Sequence, residues 1–79
     1  MKGNGQVALS INGIEMKKAL ERLGWHVKRN GSNHWIMSHQ DDPGASVPIP
    51  RHRDDLKVKT LHSILDATRL TEEDIRRVK

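Results

Sequence analysis

Trp25-His26-Val27-Lys28-Arg29-Asn30-Gly31-Ser32-Asn33-His34-Trp35-Ile36-Met37 is the stretch that decides the fold. Apolar and polar residues alternate on both sides of an Asn-Gly pair, the pattern of a β-hairpin. Two registers compete. A two-residue turn pairs Val27 with His34 and sends the two tryptophans to opposite faces. A three-residue loop over 30–32 pairs Val27 with Trp35 and Trp25 with Met37. That register gathers the four apolar groups on one face and leaves His26, Lys28, His34 and Ile36 on the other. A one-residue slip would turn the whole apolar set to solvent. The three-residue loop is therefore expected, with Gly31 in the left-handed conformation.

Upstream, Asn12 is a helix N-cap and Glu15 closes a capping box. Ile14, Met16, Ala19, Leu20 and Leu23 follow at helical spacing, and Gly24 supplies a left-handed stop. Residues 1–10 have no period and read as a flexible tail, leaving one domain over 11–79. Downstream, His39 to Gly44 reads as a turn and Ala45 to Pro50 as a third strand. Pro48 and Pro50 cannot donate ladder bonds, which makes it an edge strand. Arg51 to Lys57 is a charged connector. Val58, Leu61, Ile64, Leu65 and Thr68 form a second helical stripe, and Thr71-Glu72-Glu73-Asp74 opens a short last helix through Arg77. The class is α+β: helix, three-stranded antiparallel sheet, helix and a small C-terminal helix. With both main helices on one sheet face, the other face stays open. The expected core is Leu20, Leu23, Trp25, Trp35, Met37, Leu61, Ile64 and Leu65.

Composition narrows the class of function. The chain has 79 residues, 14 Lys and Arg against 10 acids, a net charge of +4, five histidines and no cysteine. Neither a disulfide framework nor a thiolate metal site can be built. No apolar run approaches a membrane span or a signal-peptide core, so a cytoplasmic protein is expected. A small basic domain suits a polyanionic partner, usually nucleic acid. Tyr and Phe are absent, which argues against recognition by stacking several bases.

RNA strand cleavage needs the 2′-hydroxyl deprotonated, the phosphorane charge stabilised and the leaving 5′-oxygen protonated. A histidine can make either proton transfer near neutral pH. His34 follows a glycine turn on the open face, with Lys28 across the strand. Ser32 could cap the turn or donate to phosphate, and Gly31 allows close approach of a phosphate to the backbone. His52, flanked by Arg51 and Arg53, could carry a second proton or bind phosphate. Lys28, Arg29, Lys57 and Lys59 are candidate phosphate contacts. A plain solvated basic surface fits the same residues, and their spacing alone leaves both readings open. His34, His39, Asp41 and Asp42 lack the compact spacing of zinc motifs, so no metal is expected.

Gly31-Ser32-Asn33-His34, then a strand, Val47 to Pro50 with Arg51 and His52, Leu56-Lys57, and Thr60-Leu61-His62-Ser63-Ile64-Leu65 together resemble the HicA (YcfA-like) family of toxin mRNA interferases. The similarity runs from about Ile14 to Leu70. It implies a double-stranded-RNA-binding-domain-like α-β-β-β-α fold and ribosome-independent cleavage of mRNA without a cofactor. It also implies neutralisation by a HicB-type antitoxin, with a monomer when free and a hetero-oligomer with the antitoxin. The family's functional histidine falls on His34. Asn33 stands where the motif often has a histidine, Pro48 is an extra proline, Val58-Lys59 replaces a common Pro-Gly, and Arg69 takes a position frequently held by glycine. A non-catalytic RNA-binding module of the same fold is the alternative.

Overall fold

Asn12 nucleates the first helix, α1 (Gly13–Arg22). Its Oδ1 accepts from the Glu15 amide at 2.8 Å, and Glu15 Oε1 accepts from the Asn12 amide at 3.0 Å. The computed structural model describes residues 9–79, so residues 1–8 of the expected tail lie outside the described residues. Gly24 leaves the helix at φ 97°, and a side chain there would run into the His39 ring. Met16, Ala19 and Leu20 are buried, but Ile14 is only half-buried. Ile11, ahead of the helix, fills the core in its place. Its carbonyl accepts from the Leu56 amide at 2.8 Å, and Asn12 bridges to Asp55, so the helix entrance is tied to the connector before the second helix.

The strands β1 (Trp25–Asn30), β2 (His34–His39) and β3 (Asp42–Pro50) form an antiparallel sheet in the order β1-β2-β3. The hairpin register differs from expectation. Val27 pairs with Met37 and Trp25 with His39, whereas Asn30 pairs with Trp35 and Arg29 with Ile36, with a bulge at Lys28. The chain reverses later than the Asn-Gly pair suggests, with the Gly31 amide donating to His34 O at 3.0 Å. Gly31 is not left-handed: among the described glycines only Gly24 has a positive φ. Glycine is needed at 31 for proximity, since a Cβ would lie 2.9 Å from His34 O.

The expected faces survive this shift because of the bulge. Without the extra residue, the turn-end register would put Trp25 and Val27 on the face of Ile36. The bulge restores parity, so Trp25, Val27, Trp35 and Met37 face the helices, while His26, Lys28, His34 and Ile36 face outward. The turn into β3 also moves. It falls at Gln40–Asp41, and Pro43 and Gly44 belong to an irregular first part of the strand, where Ser38 Oγ contacts the Asp42 and Pro43 carbonyls. As expected, the proline-bearing strand is an edge.

Helix α2 (Val58–Thr68) buries Leu61, Ile64, Leu65 and Thr68. Val58 is 54 % exposed and stands off the stripe. Arg69 closes α2 at φ 61°, with the Leu70 amide donating to Leu65 O, a glycine-type ending made by arginine. The Thr71 capping box opens α3 (Glu72–Val78), whose Ile75 is wholly buried. The core adds Ile11, Met16, Ala19, Val47, Ile49 and Ile75 to the expected residues. Leu23 and Trp35 are only half-buried at its margin. No helix among the described residues is long and apolar enough to cross a membrane.

Candidate active site

His34 is the first residue of β2, and strand alternation aims it away from the helices. Trp35, the next residue, points inward, packs against the core and carries Lys17 Nζ and Arg51 Cζ at 5.3 and 5.0 Å from its ring centroid. His34 is exposed, and its imidazole has no hydrogen-bond partner among the described residues. It stands on the wall of a cleft of about 430 Å³ lined also by Pro48 and Pro50 of β3 and by Lys59, Thr60 and Ser63 of α2. Edge strand β3 thus brings the first turn of α2 next to the histidine. No side chain caps the start of α2. Its first amides are open to an anion beside the Lys59 charge.

A second cleft of about 320 Å³ shares Pro50 and Thr60 with the first and adds His52, Lys57, Asp54 and Asp55. His34 and Lys59 on the first cleft and Lys57 and His52 on the second are thus separated by Pro50 and Thr60, which line both. Asp54 and Asp55 lower the positive potential in the second cleft, and Asp55 is engaged by Ser10 Oγ at 2.6 Å. Arg53 is exposed on the connector and lines neither cleft.

The bulge sets Lys28 and Arg29 together opposite Ile36, both exposed. Lys28 Nζ reaches Ser46 Oγ on β3 at 3.4 Å, across the outer face of β2. The exposed outer-face side chains are His26, Lys28, Arg29, His34, Ser46 and Pro48, with no carboxylate among them. Ser32 and Asn33 are exposed at the tip of the reversal. Arg51 differs from the other expected contacts. Its guanidinium is held by Asn30 Oδ1 and the Gly31 carbonyl, on the helix side of the sheet.

His39 is structural. Its Nδ1 accepts from the Asp41 amide at 3.0 Å, its Nε2 lies 3.3 Å from Leu23 O, and its ring meets Trp25 edge-on at 5.2 Å. A strand rises about 3.3 Å per residue, so His39 stands about 16 Å from His34, on the opposite face. The two cannot share an ion.

Sequence reasoning passed over Thr60, Ser63 and Pro50 as site residues. Thr60, Ser63 and Ala67 recur at helical spacing beside Ile64, and all line the first cleft. That short polar face next to an apolar stripe was a readable signal.

A family model described as the HicA toxin of bacterial toxin-antitoxin matches residues 13–70. The match takes in α1, the whole sheet and α2, and leaves α3 outside. No curated protein matches the chain.

Proposed function

The chain belongs to the family of HicA toxins of bacterial toxin–antitoxin systems, and from that membership we propose that it is an mRNA interferase: a ribosome-independent endoribonuclease with His34 as acid/base, held in check by a HicB-type antitoxin in the cytoplasm. The single observation that carries the reading is the place of His34. It is an exposed imidazole on a cleft wall that also bears Lys59, beside a sheet face that carries cations; among the described residues the imidazole has no partner and that face no exposed carboxylate.

The chemistry follows from that arrangement. RNA lies along the outer face with its phosphates against Lys28 and Arg29, and its backbone passes into the cleft beside Lys57 and Lys59. Neutral His34 takes the 2′-hydroxyl proton. The 2′-oxygen attacks the adjacent phosphorus, and Lys59 with the open amides of α2 stabilises the added charge on the phosphorane. The 5′-oxygen leaves with a proton, for which His52 on the neighbouring cleft is the candidate donor. The products are a 2′,3′-cyclic phosphate and a 5′-hydroxyl. Each step uses groups of the protein alone, so activity should survive chelation. Ser32, Gly31 and Arg53 add contacts along the same strand.

The test is digestion of RNA by the isolated protein, wild type against His34→Ala, with and without chelator. Losing a general acid/base costs about 10²- to 10⁴-fold in rate. The variant should lose that much while keeping its fold and most of its RNA affinity. Wild-type protein that binds RNA without cutting it would make this an RNA-binding module instead.

A further inference from the structure

We propose that Arg51 is a positioning residue for His34, and that its charge does not serve as a phosphate ligand. The inference rests on the reading of His34 as acid/base. Arg51 follows the last residue of β3, yet it reaches back to the chain reversal before His34 and to Trp35 just after it. Its amide donates to Asn33 O at 2.9 Å. Its Nη1 donates to Asn30 Oδ1 at 2.5 Å and to Gly31 O at 2.6 Å. Its Cζ lies over Trp35, 5.0 Å from the ring centroid. One side chain and its own amide thus hold residues 30, 31, 33 and 35, on both sides of the histidine. The Gly31 amide closes the reversal onto His34 O at 3.0 Å.

The faces of the sheet separate this role from phosphate binding. Trp35 and His34 are consecutive strand residues and point to opposite faces. The guanidinium over Trp35 is on the helix side of β2, whereas the His34 imidazole leaves the strand on the other side, at the cleft along the β3 edge. Arginine suits the brace because Nη1, fixed in the guanidinium plane, donates to both acceptors while Cζ stays over the indole. Lysine carries the same charge but can do only part of this.

Arg51→Lys therefore separates the two roles, because it keeps the charge and loses the planar group that fixes the Nη1 donors while Cζ lies over Trp35. The experiment measures steady-state cleavage of an RNA oligonucleotide over a range of salt, with amide hydrogen exchange in parallel. If Arg51 is a brace, Arg51→Lys lowers kcat by about tenfold or more, since small misplacement of a catalytic group costs up to about 10²-fold. KM stays within about twofold, the salt dependence of binding is unchanged, and exchange of the Gly31 amide quickens by about tenfold. Unchanged protection of the Leu20 and Leu65 amides shows that the fold is intact. A phosphate ligand behaves differently. Arg51→Lys would then keep kcat and Gly31 protection, while Arg51→Ala would weaken binding and reduce the salt slope by about 0.7. That result overturns the proposal. If the wild type cuts no RNA, the nuclease reading falls, but the exchange measurement still decides the brace: unchanged Gly31 protection in Arg51→Lys rejects it, and faster exchange upholds it.

Discussion

At the scale of single residues, Gly13 shows how a local rule can point the wrong way. Helix propensity favours alanine over glycine by about 1 kcal/mol in a helix. A Cβ on Gly13, however, would lie 1.7 Å from Pro50 O and 2.9 Å from Pro50 C, both backbone atoms. Neither the end of β3 nor the start of α1 can yield cheaply, because Asn12 and Ile11 are tied to the connector. Overpacking of this kind costs about 1–3 kcal/mol or more and outweighs the propensity gain. Gly13→Ala should therefore destabilise the protein by about 2 kcal/mol in chemical denaturation; a neutral or stabilising result would mean that the helix and strand are free to separate. The need for this glycine was invisible in the sequence, because it arises from a residue far along the chain. Gly24 was legible because its cause, a left-handed helix exit, is local. Gly31 was noticed for a conformation it does not adopt, while its actual constraint is again proximity to a backbone oxygen.

At the scale of elements, order and faces were readable and the strand register was not. Alternation around 25–37 gives two strands and their inward residues, because one face must be apolar. It does not give the place of the reversal, which lies past the Asn-Gly pair, where Arg51 holds Asn30 and Gly31. Nor does it reveal the Lys28 bulge, which returns the tryptophans to the correct side. The caps were fully legible, since a capping box spans only four residues. The one on α3 carries a pH dependence. The Thr71 amide and then its hydroxyl hold the Asp74 carboxyl below its ordinary range, against an opposing effect of desolvation, with the Arg77 charge adding the smallest contribution. A carboxyl with a lowered folded pKa adds stability above its unfolded value and loses it as pH falls through the folded value. The stability gap between wild type and Asp74→Asn should be full near about pH 6 and close below about pH 3. A gap that persists in acid would mean that the cap acts through geometry rather than charge.

At the scale of the whole molecule, both sheet edges are blunted. Pro48 and Pro50 remove donors from β3, and the bulge with Lys28 and Arg29 distorts and charges β1. An antitoxin is therefore more effective on the outer face and the His34 cleft than as an added strand. A partner presenting carboxylates to Lys28, Arg29 and Lys59 would occupy the charge footprint proposed for RNA. The five histidines make this measurable without labels. His26, His34, His52 and His62 are exposed, whereas His39 is half-buried with both ring nitrogens engaged. Carbethoxylation of the free toxin should therefore be fast at the first four and slow at His39. In complex with the antitoxin, His34 and His26 should be protected by about tenfold or more, as expected for groups at a desolvated interface. His62, which lines neither cleft, should keep its rate. On the proposal that one footprint serves both ligands, added RNA should slow antitoxin association, with the competition fading as salt rises. An inhibited complex in which His34 still reacts at the free rate would place the block elsewhere, and the shared-footprint account of neutralisation would fail.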